Sequence, residues 1–355
     1  MTRDYAAMTT LIVERLQSSG TADFSVAMID NGLTQAIAEL SDYHPHIVGV
    51  VFNVEGRSGR STSTNADNLV DTTNGQFLSG DATDEKVIHN TTDNSWAVVL
   101  SYSSTSQIGI SSDIMTVDDQ YKIYNKQCQN HKQIYIGDVP NYEAVHSVEY
   151  PIGERRNWKR YDRILEIDKD VIPDTNSNTA KITNLPDDEA LIRFIQPHAL
   201  PNLTDWAATF SATAAVSATS IALTALQGAG TIVTGAEFNI ENHRTTYIVS
   251  ASVTIASSAV TVGFYPPLEA AVSSTAWVVT VRKTTLEPHY EEMVADLASA
   301  RIALGKAIKF ANTIAFGGGD VATKFIAIGE RRLAEAQSRL KRSVPPKTKI
   351  RYPAD

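Results

Sequence analysis

The apolar residues of this chain change their period twice, and that change constrains the fold more than any other feature. At the start, Met8, Leu11, Ile12 and Leu16 follow helical spacing, and Ser18-Ser19-Gly20 ends the run. A second helix follows, with Thr21 or Asp23 as its cap and Val26, Ile29, Leu33, Ile37 and Leu40 as its apolar face. Gly32 beside that face costs about 1 kcal/mol relative to Ala, and a close helix contact would account for it. His44-Pro45-His46 stops the helix, because proline disfavours the α conformation in the residue before it.

From Ile47 the helical period gives way to short strand-like pieces separated by polar turns. They include Ile47–Asn53, Val87–His89, Trp96–Tyr102, Gln107–Ile110, Tyr121–Tyr124, Gln133–Ile136, Val145–Tyr150, Arg163–Ile167 and Leu191–Ile195. A second group runs from Phe210 to Val281, where the only charges are Glu237, Glu241, Arg244 and Glu269. So few charges imply either packing against other chains or a surface built from hydroxyls.

Helical spacing then returns. Pro288 suits a first turn, Glu291 and Glu292 suit the positive end of the dipole, and Met293, Leu297, Ala300, Leu304 and Ile308 form the apolar face. Gly317-Gly318-Gly319 breaks this helix and Asp320 can cap the next. In that last helix Ala322, Ile326, Gly329, Leu333, Ala336 and Leu340 recur at alternating steps of four and three, a seam for a partner helix. The candidate helix-packing residues are therefore Leu297, Leu304, Ile326, Gly329, Leu333 and Leu340. The expected fold class is α+β: a helical core from N- and C-terminal helix pairs, with two small antiparallel β modules inserted. The expected divisions are N-terminal helices over 1–53, a first β module over 54–125 and a β-rich middle of the core over 126–207. A second module over 208–283, C-terminal helices over 284–342 and a basic arm over 343–355 complete the chain.

Charge adds a second asymmetry. The 355 residues carry a net charge of −9, but Arg331–Asp355 holds eight basic residues against two acidic ones, a balance of +6 that leaves −15 for the rest. A basic arm meets nucleic acid or an acidic partner surface, or is simply solvated. One cysteine excludes a disulfide framework, and no apolar run reaches the roughly 18 residues of a membrane span. Met1–Leu16 is too interrupted by polar residues for a secretory signal.

Catalytic signatures are few. His44 and His46 are the only histidines close in sequence, and a turn with two polar rings is favoured over a metal pair. Neither Gly228-Ala229-Gly230 nor the later glycine triplet matches a phosphate-cradling or dinucleotide pattern. Asp118-Asp119 and Asp187-Asp188-Glu189 read as solvated loop carboxylates, and Cys128 as a packing residue. The run Arg155-Arg156-Asn157-Trp158-Lys159-Arg160-Tyr161 can bind phosphate and stack a base, against a favoured reading as a hairpin turn whose charges face water or a neighbouring subunit. No catalytic residue, metal or cofactor is assigned, and the chain reads as a non-enzyme.

The organisation resembles the head-to-tail adaptor (connector) proteins of tailed bacteriophages. The resemblance is carried by Leu11–Arg15 with Ala36–Pro45, by Val145–Gly153 with Leu191–Leu200, and by Glu287–Val294 with Ala300–Leu304 and Phe325–Leu340. The stretches Gly59–Tyr124 and Thr209–Val281 resemble small modules that recur inside phage structural proteins. What the resemblance implies is a virion protein of the neck, assembled in the host cytoplasm. It would form a ring of about twelve subunits between the portal and the tail or neck proteins. Genomic DNA would pass through its lumen without sequence-specific binding, and no membrane would be involved. In that family the C-terminal segment docks on the portal, which makes Arg339, Lys341, Arg342, Lys347, Lys349 and Arg351 the candidate portal-binding residues. The alternative reading is a glycan- or receptor-binding virion decoration protein, with Trp96 and Trp277 as possible stacking residues.

Overall fold

The computed structural model describes residues 3, 5–16, 24–169, 189–200, 206–226, 230–281, 284–313 and 319–343. The helices among them are α1 (Tyr5–Arg15), α2 (Val26–Tyr43), a short α3 (Gly80–Thr83), α4 (Pro288–Thr313) and α5 (Gly319–Ser343). All the rest of the regular structure is strand.

The four long helices come from the two ends of the chain and share one apolar core. Met8 and Ile12 of α1 meet Ile29, Leu33, Ala36 and Leu40 of α2, Val294, Leu297, Ala298 and Ile302 of α4, and Ala336 and Leu340 of α5. Helix α4 lies at the centre. Its Ala295, Ala300, Ala303 and Ala307 are buried as well, so it is apolar on several sides, as a helix surrounded by others must be. Small residues set the approach distances. A Cβ on Gly32 would lie 2.5 Å from Ile302 Cγ1, and one on Gly329 would lie 2.7 Å from Leu304 Cγ. The propensity cost of Gly32 is thus the condition for the α2–α4 contact. The cap of α2 is Ser25, whose hydroxyl accepts from the Met28 N–H at 3.4 Å, rather than Thr21 or Asp23. Both of those lie outside the described residues.

The expectation of a helical core carrying small β modules does not hold. Strands take 35% of the chain against 25% for helices, in several sheets that include a closed six-stranded barrel. The middle of the chain supplies the reason. Its strands do not cover the helices but pair into two sheets with a core of their own. The first sheet is antiparallel, in the order His46–Asn53, Glu189–Gln196, Ala144–Glu149 and Arg155–Arg156; the second holds Trp158–Tyr161, Ile164–Ile167 and Gln133–Tyr135. Val48, Val50, Ile134, Val148, Leu165, Ile192 and Phe194 fill the space between them. The outer pair runs in continuous register from His46 opposite Gln196 to Asn53 opposite Glu189. This ladder ties the end of α2 to the return toward α4.

The stretch from Ser58 to Tyr124 forms a six-stranded antiparallel sheet around Leu69, Phe77, Ile88, Val99, Ile108 and Ile123. The closed barrel runs in the order Trp206–Phe210, Ser220–Thr224, Val260–Tyr265, Thr246–Val249, Glu237–Ile240 and Val278–Val281. Phe238, Tyr247 and Phe264 meet pairwise at its centre, with centroids 5.3–5.4 Å apart. Ser220, Thr254, Thr261 and Thr280 point outward and are exposed. The scarcity of charge between Phe210 and Val281 therefore accompanies a surface of hydroxyls.

Candidate functional site: the terminal helix hairpin

Helices α4 and α5 run antiparallel, with Asp296 opposite Arg339 and Leu304 seated on Gly329. One turn further toward the hairpin tip, at steps of four along α4 and three along α5, lie Ile308 and Ile326. Both are exposed, Ile308 to 64% and Ile326 to 38%. Ile328, on another face of α5, is 49% exposed. Singly exposed apolar residues are ordinary. Ile308 and Ile326 stand one turn beyond the Leu304–Gly329 contact on their own helices, and neither belongs to the bundle core.

The base of the hairpin is closed by charge. Asp296 of α4 binds Arg15 of α1 and Arg339 of α5, the latter at 3.1 Å. Glu292 takes Arg15 and Arg3, and the buried Glu291 accepts the Arg3 backbone N–H at 2.6 Å. Glu39 of α2 accepts from Arg301 at 2.5 Å and from Gln337 at 2.7 Å. These pairs join the four long helices at the base of the hairpin.

The candidate residues fall into distinct groups. Leu297 and Leu340 are fully buried, Leu333 packs partly buried against the same core, and Gly329 is buried under Leu304. Ile326 lies outside that core. Among the basic candidates, Arg339 is engaged by Asp296, while Lys341 and Arg342 are exposed at the end of α5. Lys347, Lys349 and Arg351 lie outside the described residues. Trp277 packs against the barrel core and meets His243 edge-on. Trp96 is 39% exposed, with one face stacked on His89 at 3.8 Å.

The remaining polar motifs resolve into structural contacts. Trp158 packs on the central core, Arg156 donates to the Tyr150 carbonyl and pairs with Glu154, and Arg160 lies 5.1 Å from the Tyr142 ring centroid. Asp119 accepts from the Thr116 N–H and hydroxyl and from Asn90, bonds that together hold its carboxyl below the usual range against the opposing effect of burial. The buried Cys128 thiol is pushed up to about 12 by burial, so it stays protonated near neutrality. Among the described residues no group of His, Cys, Asp and Glu is arranged to hold a metal ion, and no helix is long and apolar enough to cross a membrane.

Sequence spacing missed a junction of histidines. His44 ends α2, and its Nδ1 meets the Tyr290 hydroxyl at 3.0 Å. His198 donates from Nε2 to the His44 carbonyl at 2.9 Å and meets the Thr285 hydroxyl through Nδ1 at 3.0 Å. His46 reaches Glu237 of the barrel at 2.7 Å, and its ring lies 5.5 Å from that of His198. The bundle, the central sheet and the barrel therefore meet at imidazoles. Burial, aided by neighbouring His289 and His46 respectively, holds His44 and His198 below the ordinary 6.5, and burial does the same to His146 and His243. The unfolded chain takes up protons as pH falls through 6.5 while the folded chain resists, so stability falls with pH below that point. Thermal melts at pH 7.5, 6.5 and 5.5 should show a nearly constant midpoint above 6.5 and a clear drop by 5.5. The drop should be smaller in His198→Gln.

Comparison with protein-family models, with curated proteins and with solved structures found no match.

Proposed function

We propose that this chain is the subunit of a head-to-tail adaptor ring of a tailed bacteriophage, a structural part of the virion neck rather than an enzyme. The observation that carries the reading is the exposure of both Ile308 on α4 and Ile326 on α5, beyond the hairpin base that Asp296 locks. A helical hairpin that leaves an isoleucine exposed on each of its two helices suits packing against a neighbouring subunit, and repetition of one such heterologous contact closes a ring. The resemblance of the terminal helices to that family supports the same reading, as does the packing of both chain ends into one bundle. The excess negative charge outside the C-terminal segment suits a lumen along which DNA slides without adhering. Lys341 and Arg342 stand at the exit of α5, the start of the arm proposed to dock on the portal.

Native mass measurement and negative-stain microscopy of the full chain, mixed with the portal protein of the same genome, test this. The expected product is a closed ring seated on the portal. A chain that stays monomeric and ignores the portal overturns the reading. Truncation after Leu340 keeps the buried leucine and removes Lys341 and all that follows. It is expected to abolish portal binding while leaving the fold intact, and undiminished binding would take the arm out of the contact.

A further inference from the structure

A cleft lies where the six-stranded sheet, the central sheets and the barrel converge, far from the terminal helices in the chain. Its inner chamber, about 150 Å³, lies between α3 and the barrel loop at Val216 and Ser217; the outer one, about 280 Å³, is bounded by Phe52, Tyr135, Tyr265, Pro266 and Leu268. The two share Asn53, Asp84, Lys86 and Ser217 as walls. Gly80 keeps the inner wall open: a Cβ there would stand 3.2 Å from Ser217 Oγ and 3.7 Å from an Asp84 oxygen.

Charge in the inner chamber does not balance. Arg57, fully buried, binds Glu55 at 2.8 Å and Asp81 at 2.6 Å. Lys86 donates to Asn125 at 2.6 Å and lies 3.6 Å from Glu55. Two cations thus face three carboxylates, Glu55, Asp81 and Asp84. The carboxyl of Asp84 has no hydrogen bond or ion pair of contact length among the described residues. Burial, reinforced by the charges of Asp81 and Glu55 and opposed by Lys86 and Arg57, raises its pKa. A half-buried carboxyl with no contact partner of its own, its charge disfavoured by burial and by Asp81 and Glu55, is relieved by a ligand that brings a charged N–H donor. The outer chamber offers apolar and aromatic surface next to that carboxyl. The occupant that fits is short, with one positive N–H-bearing end and a hydrocarbon body.

We infer that this cleft binds a short aliphatic primary amine, its ammonium on Asp84 and its hydrocarbon chain against Tyr265, Pro266 and Leu268. This site is independent of ring assembly and is tested without it. Amide NMR shifts of the full chain are followed at pH 7.5 during titration with n-butylammonium and, separately, with butan-1-ol, which keeps the shape and lacks the charge. Butylammonium is expected to move the amides around Asp84 and Ser217 and to bind about 10- to 100-fold more tightly than butanol, the worth of one charged hydrogen bond. Asp84→Asn keeps the volume and relieves repulsion, and is expected to lose the same factor. Binding should also weaken on acidification as Asp84 takes up its proton. Equal binding of the two probes by the wild-type chain, unchanged affinity in Asp84→Asn, or no shifts at Asp84 and Ser217 at millimolar butylammonium would each overturn the assignment. The comparison of probes on the unaltered chain stands even if the variant does not fold.

Discussion

Arg57→Met is expected to destabilise the six-stranded sheet by about 3–5 kcal/mol, the cost of leaving buried carboxylates without their counter-charge. Glu55 and Asp81 hold this guanidinium between them through Nε, Nη1 and Nη2, and the Gln76 carbonyl takes a further N–H at 2.8 Å. Burial alone favours the neutral base, but the two carboxylates outweigh it and raise the pKa above its ordinary value. Methionine fills most of the volume and supplies no charge, so Glu55 and Asp81 would repel each other with only Lys86 nearby. The network links the end of the central strand His46–Asn53 to α3, and its loss should loosen residues 58–124 first. Hydrogen exchange should show fast amides in that sheet while Leu33 and Leu297 in the bundle stay protected. The triple variant Glu55→Gln, Arg57→Met, Asp81→Asn removes all three charges and keeps acceptors for the N–H groups of Gly56 and Leu78. It should recover most of the lost stability, the non-additivity that marks a shared network. If Arg57→Met melts like the wild type, the network is not what holds the sheet.

Sequence periodicity located much of this fold, and its failures have physical causes. The strand pattern placed Gln107–Ile110 at its observed bounds, because Ile108 and Ile110 face a core. Ser58–Arg60 and Asn68–Val70 were hidden in the polar stretch Glu55–Gly80. Leu69 is the only fully buried apolar residue of the two strands, so main-chain pairing with Gln120–Tyr124 and Gln107–Ile110 does the work that pattern cannot reveal. Closure of the barrel rests on Trp206–Phe210 meeting Val278–Val281, a pairing across some seventy residues with no local signature. The same distance hid the cleft. Arg57 and Asp81 are 24 residues apart and Lys86 and Asn125 are 39 apart, while Ser217 comes from the barrel. Ile326 shows a subtler limit. Its spacing matches the α5 seam, but the Gly329–Leu304 contact is followed by an exposed turn, so period fixes the face of a helix and not how far its partner extends.

That exposed turn carries the second large expectation. Ile308→Asp combined with Ile326→Asp should leave the chain folded and unable to assemble. Both side chains meet water in the single chain, Ile308 to 64% and Ile326 to 38%, so the thermal midpoint should move little. Burying one isoleucine at an interface is worth about 1.5–3 kcal/mol, and introducing a carboxylate there adds a desolvation cost. Loss of two such contacts per subunit junction weakens each by roughly 100-fold or more, and a ring compounds that loss at every junction. Native mass spectrometry of the double variant with the portal protein should show single subunits where the wild type gives rings. Arg331→Ala serves as control, because its partner Glu335 lies on the same helix and both are exposed, and it should assemble normally. A double variant that forms rings as readily as the wild type would move the contact away from this tip. The exposed isoleucines would then be ordinary surface residues, and the adaptor reading would lose the observation on which it rests.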